Sequence, residues 1–187
     1  MITWSSINFS NPSSFLIESI ISIHDFVMMS IISVLLLVTI NLVYTFFMRD
    51  FNSEFFESHE LERVWTIAPF LVLAFIVFPS LMSLYTLDSC LFCGVTVSII
   101  GHQWYWSYFY KDISNIFFDS YMIPSNEGSL RLVDVDNRLV TPSHTPVRFL
   151  VSSADVIHSW TLPSFGVKID AIPGRINQFC FSSGRRG

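Results

Sequence analysis

The stretch Val64–Leu87, "VWTIAPFLVLAFIVFPSLMSLYTL", runs for 24 residues without a charge. A helix of that length reaches roughly 35 Å, enough to cross the hydrocarbon core of a bilayer. Pro69 and Pro79 would break a soluble helix, but membrane helices tolerate proline. A buried core helix is the competing reading, and the length and lack of charge argue against it. Upstream lies a polar connection, residues 49–63, "RDFNSEFFESHELER", and before it a second uncharged run, Phe26–Met48, "FVMMSIISVLLLVTINLVYTFFM". The two runs predict a transmembrane helical hairpin, with helices over about 26–48 and 64–87.

Arg49 and Arg63 flank the polar connection, and residues 1–25 hold no Lys or Arg. The excess of basic residues on the inner side of membranes therefore predicts an inward-facing connection and outward-facing termini. The first apolar run starts late and lacks a basic leader, unlike a cleaved signal peptide.

Downstream of Leu87 the chain changes character. Residues 1–87 hold seven acids and two bases, which is the whole net charge of −5, whereas residues 88–187 hold eight of each. Residues 95–110, "VTVSIIGHQWYWSYFY", are β-branched and aromatic. Leu130–Val140 reads as a hairpin around an Asp-Asn turn, and Val147–Val151 as another strand. Prolines at 124, 142, 146, 163 and 173 separate the runs. Short strands with such punctuation predict a small β-sandwich or barrel. The chain thus divides into a tail and hairpin, 1–87, and a β domain, 88–187. Its class is membrane-anchored α+β.

Composition excludes other classes. Hydrophobic residues make up 51% and charged residues 13%, too apolar for an ordinary soluble domain. The negative charge leaves no basic footprint for nucleic acid. No Ser-His-Asp order, H-E-x-x-H motif or paired catalytic carboxylates stand out.

Several residues could carry chemistry. On a strand, Trp104, Trp106, Tyr108 and Tyr110 share one face. They are either a packed sheet face or an exposed aromatic contact for a partner or an electron. Glu62 lies at the start of the second helix, where the dipole favours a carboxylate, and where a carboxylate could also gather protons for an inward path. Cys90 and Cys93 form a C-x-x-C, a weak metal or redox signal without a second pair. A surface or weakly paired couple is its plainer reading, and Cys180 stands alone. His158, in "SADVIHSW", is by itself an ordinary structural histidine.

At "LERVWTIAPF", "IGHQWYWSYFY", "FDSYMIP" and "SADVIHSWTLPSFGVKIDAIPGR" the chain resembles cytochrome c oxidase subunit II, in order and over nearly its whole length. Its shortness and abundant phenylalanine resemble mitochondrially encoded forms. The resemblance implies a cupredoxin-like β-barrel or sandwich on the outer side of the mitochondrial inner membrane. It implies a dinuclear copper centre, CuA, that takes electrons from cytochrome c and passes them to heme in subunit I. Oxygen reduction there is coupled to proton pumping. It places His158 on a copper-ligating histidine and Trp104 on the aromatic residue of electron uptake. Glu62 matches the mouth of a proton path. Asp170 and Arg175 match positions at the subunit I contact, and Asp119 and Asp155 match acidic positions near the cytochrome c docking surface.

One departure is large. The family follows "PGR" with a C-x-E-x-C-x-x-x-H-x-x-M segment that supplies the bridging thiolates, the second histidine and the methionine. Its glutamate also reaches a magnesium site. The 187 residues stop at "FCFSSGRRG". The expectation is therefore a subunit II that is truncated or split, whose barrel lacks its last strands, with the remaining CuA ligands elsewhere. A copper-free structural or assembly subunit of a quinol-type oxidase is the alternative. A membrane-anchored redox protein using Cys90 and Cys93 is a distant third.

Overall fold

The computed structural model describes residues 9–48, 54, 56–89, 92–113, 115–124, 130 and 132–185. Helix α1 spans Phe15–Phe47 and α2 spans His59–Asp88. Both start upstream of the uncharged runs. Ser14 explains the early start of α1: its hydroxyl accepts the Ile17 N–H at 3.4 Å, an N-cap that satisfies a first-turn donor. Polar side chains along both helices turn back onto their own backbones. Ser33 donates to the Met29 carbonyl at 2.8 Å, Thr39 to Leu35 at 2.7 Å and Thr66 to Glu62 at 2.8 Å. Such bonds satisfy hydroxyls where no water can. Large apolar side chains stand exposed, Phe46 and Phe78 both at 81%. Exposed apolar surface of that extent suits lipid.

The described residues divide into two compact units. One is Ile20–Leu84; the other joins the residues up to Ser19 with those from Tyr85 onward. The second unit is a β-sandwich of seven strands among the described residues. They are β1 (Val95–His102), β2 (Tyr105–Tyr110), β3 (Ile116–Ser120), β4 (Pro146–Ser153), β5 (His158–Leu162), β6 (Val167–Ala171) and β7 (Asn177–Ser182). The larger sheet has the order β3-β2-β1-β4-β7, and β5 and β6 form the smaller one. Within the larger sheet β1 and β4 run parallel, and the other pairs are antiparallel.

Period-two alternation builds the core. Val97 and Ile99 of β1, Val147, Phe149 and Val151 of β4, and Phe179 and Phe181 of β7 point inward, where Trp160 of β5 and Val167 and Ala171 of β6 meet them. Phe149 is fully buried and stacks on Phe179 at 5.0 Å and Phe181 at 4.8 Å. The tail before α1 docks on the same unit: the Ser13 N–H donates to the Ser164 carbonyl at 2.9 Å, and Gly184 N–H to the Ser13 carbonyl at 2.8 Å.

Two local expectations change. Residues 95–110 are two strands, β1 and β2, closed by Gln103 and Trp104, with His102 paired to Tyr105. Trp106, Tyr108 and Tyr110 follow the shared-face alternation, but Trp104 sits in the loop and leaves that face. Among the described residues of Leu130–Val140 there is no hairpin. The Leu130 carbonyl accepts the N–H groups of Val133 and Asp134, each at 3.2 Å, and Val135 makes only an isolated bridge to Met122. The Asp134 carboxylate explains the turn. It accepts the Leu130 N–H at 2.9 Å and pairs with Arg138 at 2.7 Å, so these residues coil instead of extending. Val140 is pinned to the sheet by the Tyr110 hydroxyl, which donates to its carbonyl at 2.7 Å.

Candidate functional site

Strand β4 ends at Ser153 and β5 begins at His158, so four residues must reverse the chain. Asp155 organises that loop. Its carboxylate accepts the Val156 N–H at 2.6 Å and the Ser153 hydroxyl at 3.2 Å. Its second oxygen accepts the Gln103 N–H at 2.7 Å, which ties this loop to the β1–β2 loop. The first oxygen also lies 2.6 Å from His158 Nε2. The bond to His158 is the main reason the Asp155 carboxyl is held far below the ordinary carboxylate range. The backbone donors add to it, and desolvation opposes it.

This arrangement selects a tautomer. Nε2 carries the proton and donates to Asp155, which leaves the Nδ1 lone pair available. The imidazole is also fixed by packing. Trp106 meets it edge-on with ring centres 5.9 Å apart. A Cβ on Gly101 would come within 2.9 Å of His158 Cδ2 and 3.1 Å of Trp106 Cζ3, so only a glycine leaves room for the ring. The His158 side chain is 18% exposed. A nearly buried, orientated imidazole with one free lone pair fits one ligand position of a copper site. Among the described residues no group of three or more His, Cys, Asp or Glu side chains is placed to hold a metal ion.

Trp104 projects from the β1–β2 loop and is 88% exposed. Beside it His102 stacks on Tyr105 at 4.6 Å, and Tyr105 on Tyr121 at 4.5 Å. The loop that presents the indole is the loop whose Gln103 N–H is bound by Asp155. Trp104, Asp155 and His158 are therefore brought together.

The remaining candidates lie elsewhere. Asp119, on β3, accepts the Ser107 hydroxyl at 2.6 Å. Asp170, on β6, is exposed and pairs across the ladder with Ser159, next to His158. Arg175 is exposed in the turn after β6, its N–H donating to the Ile172 carbonyl at 3.2 Å. Glu62 belongs to the other unit, in the first turn of α2, 3.6 Å from His59 Nδ1. Cys90 lies outside the described residues. Cys180 does not stand alone, because its sulfur lies 2.7 Å from that of Cys93. The sequence singles out Trp106 only as one of an aromatic face, and gives no sign that Gly101 and the Gln103 backbone belong to the site. Their only trace in the sequence is their place within the "GHQWYW" motif.

Two family models match the chain: "Cytochrome C oxidase subunit II, transmembrane domain" over residues 2–83 and "Cytochrome C oxidase subunit II, periplasmic domain" over residues 95–187. The chain belongs to the cytochrome c oxidase subunit II family. Relatives named cytochrome c oxidase subunit 2 match it end to end. That of Choristoneura rosaceana is 48% identical over 100% of this chain and 84% of its own length. That of Periplaneta americana is 46% identical over 100% of this chain and 83% of its own. A solved periplasmic domain of subunit II of cytochrome oxidase (CoxB) from Bradyrhizobium japonicum is 46% identical, covering 51% of this chain and 68% of that one, with a TM-score of 0.48.

As a subunit II, the chain is part of an oxidoreductase complex with other oxidase subunits, and the general function of its family is to accept electrons at CuA. Mitochondrial relatives and two helices long and apolar enough to span a bilayer make it a two-span protein of the inner membrane.

Proposed function

We propose that this chain receives electrons from cytochrome c through Trp104, and that His158 Nδ1 ligates the CuA copper. The observation that carries the reading is the Asp155 carboxylate, bound at once to the Gln103 N–H and to His158 Nε2. Those two hydrogen bonds join the loop that displays Trp104 to the ligand imidazole. When bound, copper supplies a one-electron redox centre, and the protein's part is to hold and tune it. Asp155 fixes the ring and its tautomer, Gly101 and Trp106 confine it, and Trp104 offers its indole to the donor.

In the same reading the other CuA ligands are the bridging thiolates, the second histidine and the methionine of the family's C-x-E-x-C-x-x-x-H-x-x-M segment. A magnesium site draws on the glutamate of that segment as well. Asp119 contributes charge to the docking surface for cytochrome c. Asp155, with its oxygens engaged internally, acts there chiefly by positioning. Asp170 and Arg175, both exposed, face subunit I, and Glu62 opens a proton path into it. Both termini and the β domain lie in the intermembrane space. A copper-free quinol-type subunit has no use for an imidazole orientated with Nε2 on its carboxylate partner and Nδ1 turned away from it.

Copper titration tests the assignment. The chain carrying the family's C-terminal ligand segment, in membranes, is expected to develop the purple mixed-valence absorption of CuA. His158→Ala is expected to abolish it. An unchanged purple spectrum in His158→Ala would remove His158 from the ligand set.

A further inference from the structure

Cys93, two residues before β1, and Cys180, in β7, are 87 positions apart in sequence, yet their sulfurs lie 2.7 Å apart. Both side chains are half-buried, and both line a cavity of about 200 Å³ with Thr86, Ser89, Pro146 and Phe181. Cys180 is itself disulfide-bonded. The β4–β7 register makes Arg148 the cross-strand partner of Cys180, on the sheet face turned away from the core. Arg148 Nε is buried and has no hydrogen-bond partner among the described residues.

We propose that Cys93 and Cys180 form a thiol–disulfide exchange site that covalently clamps β7 to the connection leaving α2. The Cys93 thiolate attacks Cys180 Sγ. A Cys93–Cys180 bond forms, the bond that Cys180 already holds breaks, and the departing sulfur takes the electron pair and then a proton. From the reduced pair, the clamp is made by a small-molecule disulfide of the glutathione type. Two protein thiols are oxidised to one disulfide, and the small molecule is reduced to two thiols. The clamp fixes β7, which has one sheet neighbour among the described residues, β4. The chain has three cysteines, so one internal disulfide always leaves a third sulfur to exchange.

Peptide mapping tests this. The full chain bearing Cys90→Ser is kept in its membrane, equilibrated with glutathione disulfide, alkylated with N-ethylmaleimide and digested without reductant. The expected product is one linked pair of peptides holding Cys93 and Cys180, lost on reduction and absent in a Cys90→Ser, Cys180→Ser double variant. Recovery of both cysteines as alkylated thiols would overturn the proposal. The unsubstituted chain gives a second reading that needs no variant. Fragmentation of its linked peptides is expected to show the Cys93–Cys180 bond. A Cys180 linked to Cys90 alone, with Cys93 always alkylated, would overturn the proposal equally.

Discussion

Asp155 bears the site's geometry, because one carboxylate holds two loops and a ring. Its native pKa lies below the value of about 3.9 expected when unfolded. Its stabilising contribution is therefore complete above that value, and is lost as pH falls below it through the native pKa. Asp155→Asn is expected to flatten the acid side of the stability profile below about pH 4, measured by denaturant unfolding at several pH values. An acid limb as steep as the parent's would place the titration elsewhere. Gly101→Ala probes the other wall of the ring. The new methyl meets His158 and Trp106 at 2.9 and 3.1 Å, so the imidazole must shift. The expected outcome is a weakened or displaced copper spectrum in the completed subunit with the secondary structure retained. His158 was legible in the sequence only through its resemblance to a family motif. One histidine beside Ile157 says nothing of which nitrogen is free. That depends on a carboxylate three residues away, itself held by a backbone N–H 52 residues from it.

The strands show why some elements were legible and others were not. The two apolar helices and the strand content of 95–110 and 147–151 follow from hydrophobic runs and alternation, which are local properties. Alternation continues through Gln103 without an obvious turn residue, so the pattern puts Trp104 on a strand face. No Gly, Asn or Pro marks that loop, and the Asp155–Gln103 bond that holds it is long-range. The 130–140 segment failed in the opposite way. Asp136 and Asn137 supplied a turn signal, but Asp134 and Arg138 direct the backbone into a coil. Ser13 and Ser14, docked on the carbonyls of Ser164 and Phe165, gave no sequence signal either. At this scale the central ring stack sets stability. Phe149→Ala is expected to cost about 3–5 kcal/mol, since it empties a site with no room to collapse between Trp160, Phe179 and Phe181. Denaturant midpoints compared with the parent chain check it. A loss under about 1 kcal/mol would contradict the packing described.

For the whole molecule, two helices carry a β-sandwich that offers one exposed indole and one restrained imidazole. The proposed topology puts the sandwich in the intermembrane space. Protease added to mitochondria should spare it while the outer membrane is intact and cleave it once that membrane is opened. Cleavage only after the inner membrane is breached would reverse the topology. The central claim is that Trp104 takes up the electron that His158's copper receives. Stopped-flow reduction of CuA by cytochrome c, in assembled oxidase carrying Trp104→Phe, tests it most directly. The side chain is 88% exposed, so the change leaves the core intact. The account predicts markedly slower reduction with the copper spectrum unchanged. Reduction at the parent rate would contradict it.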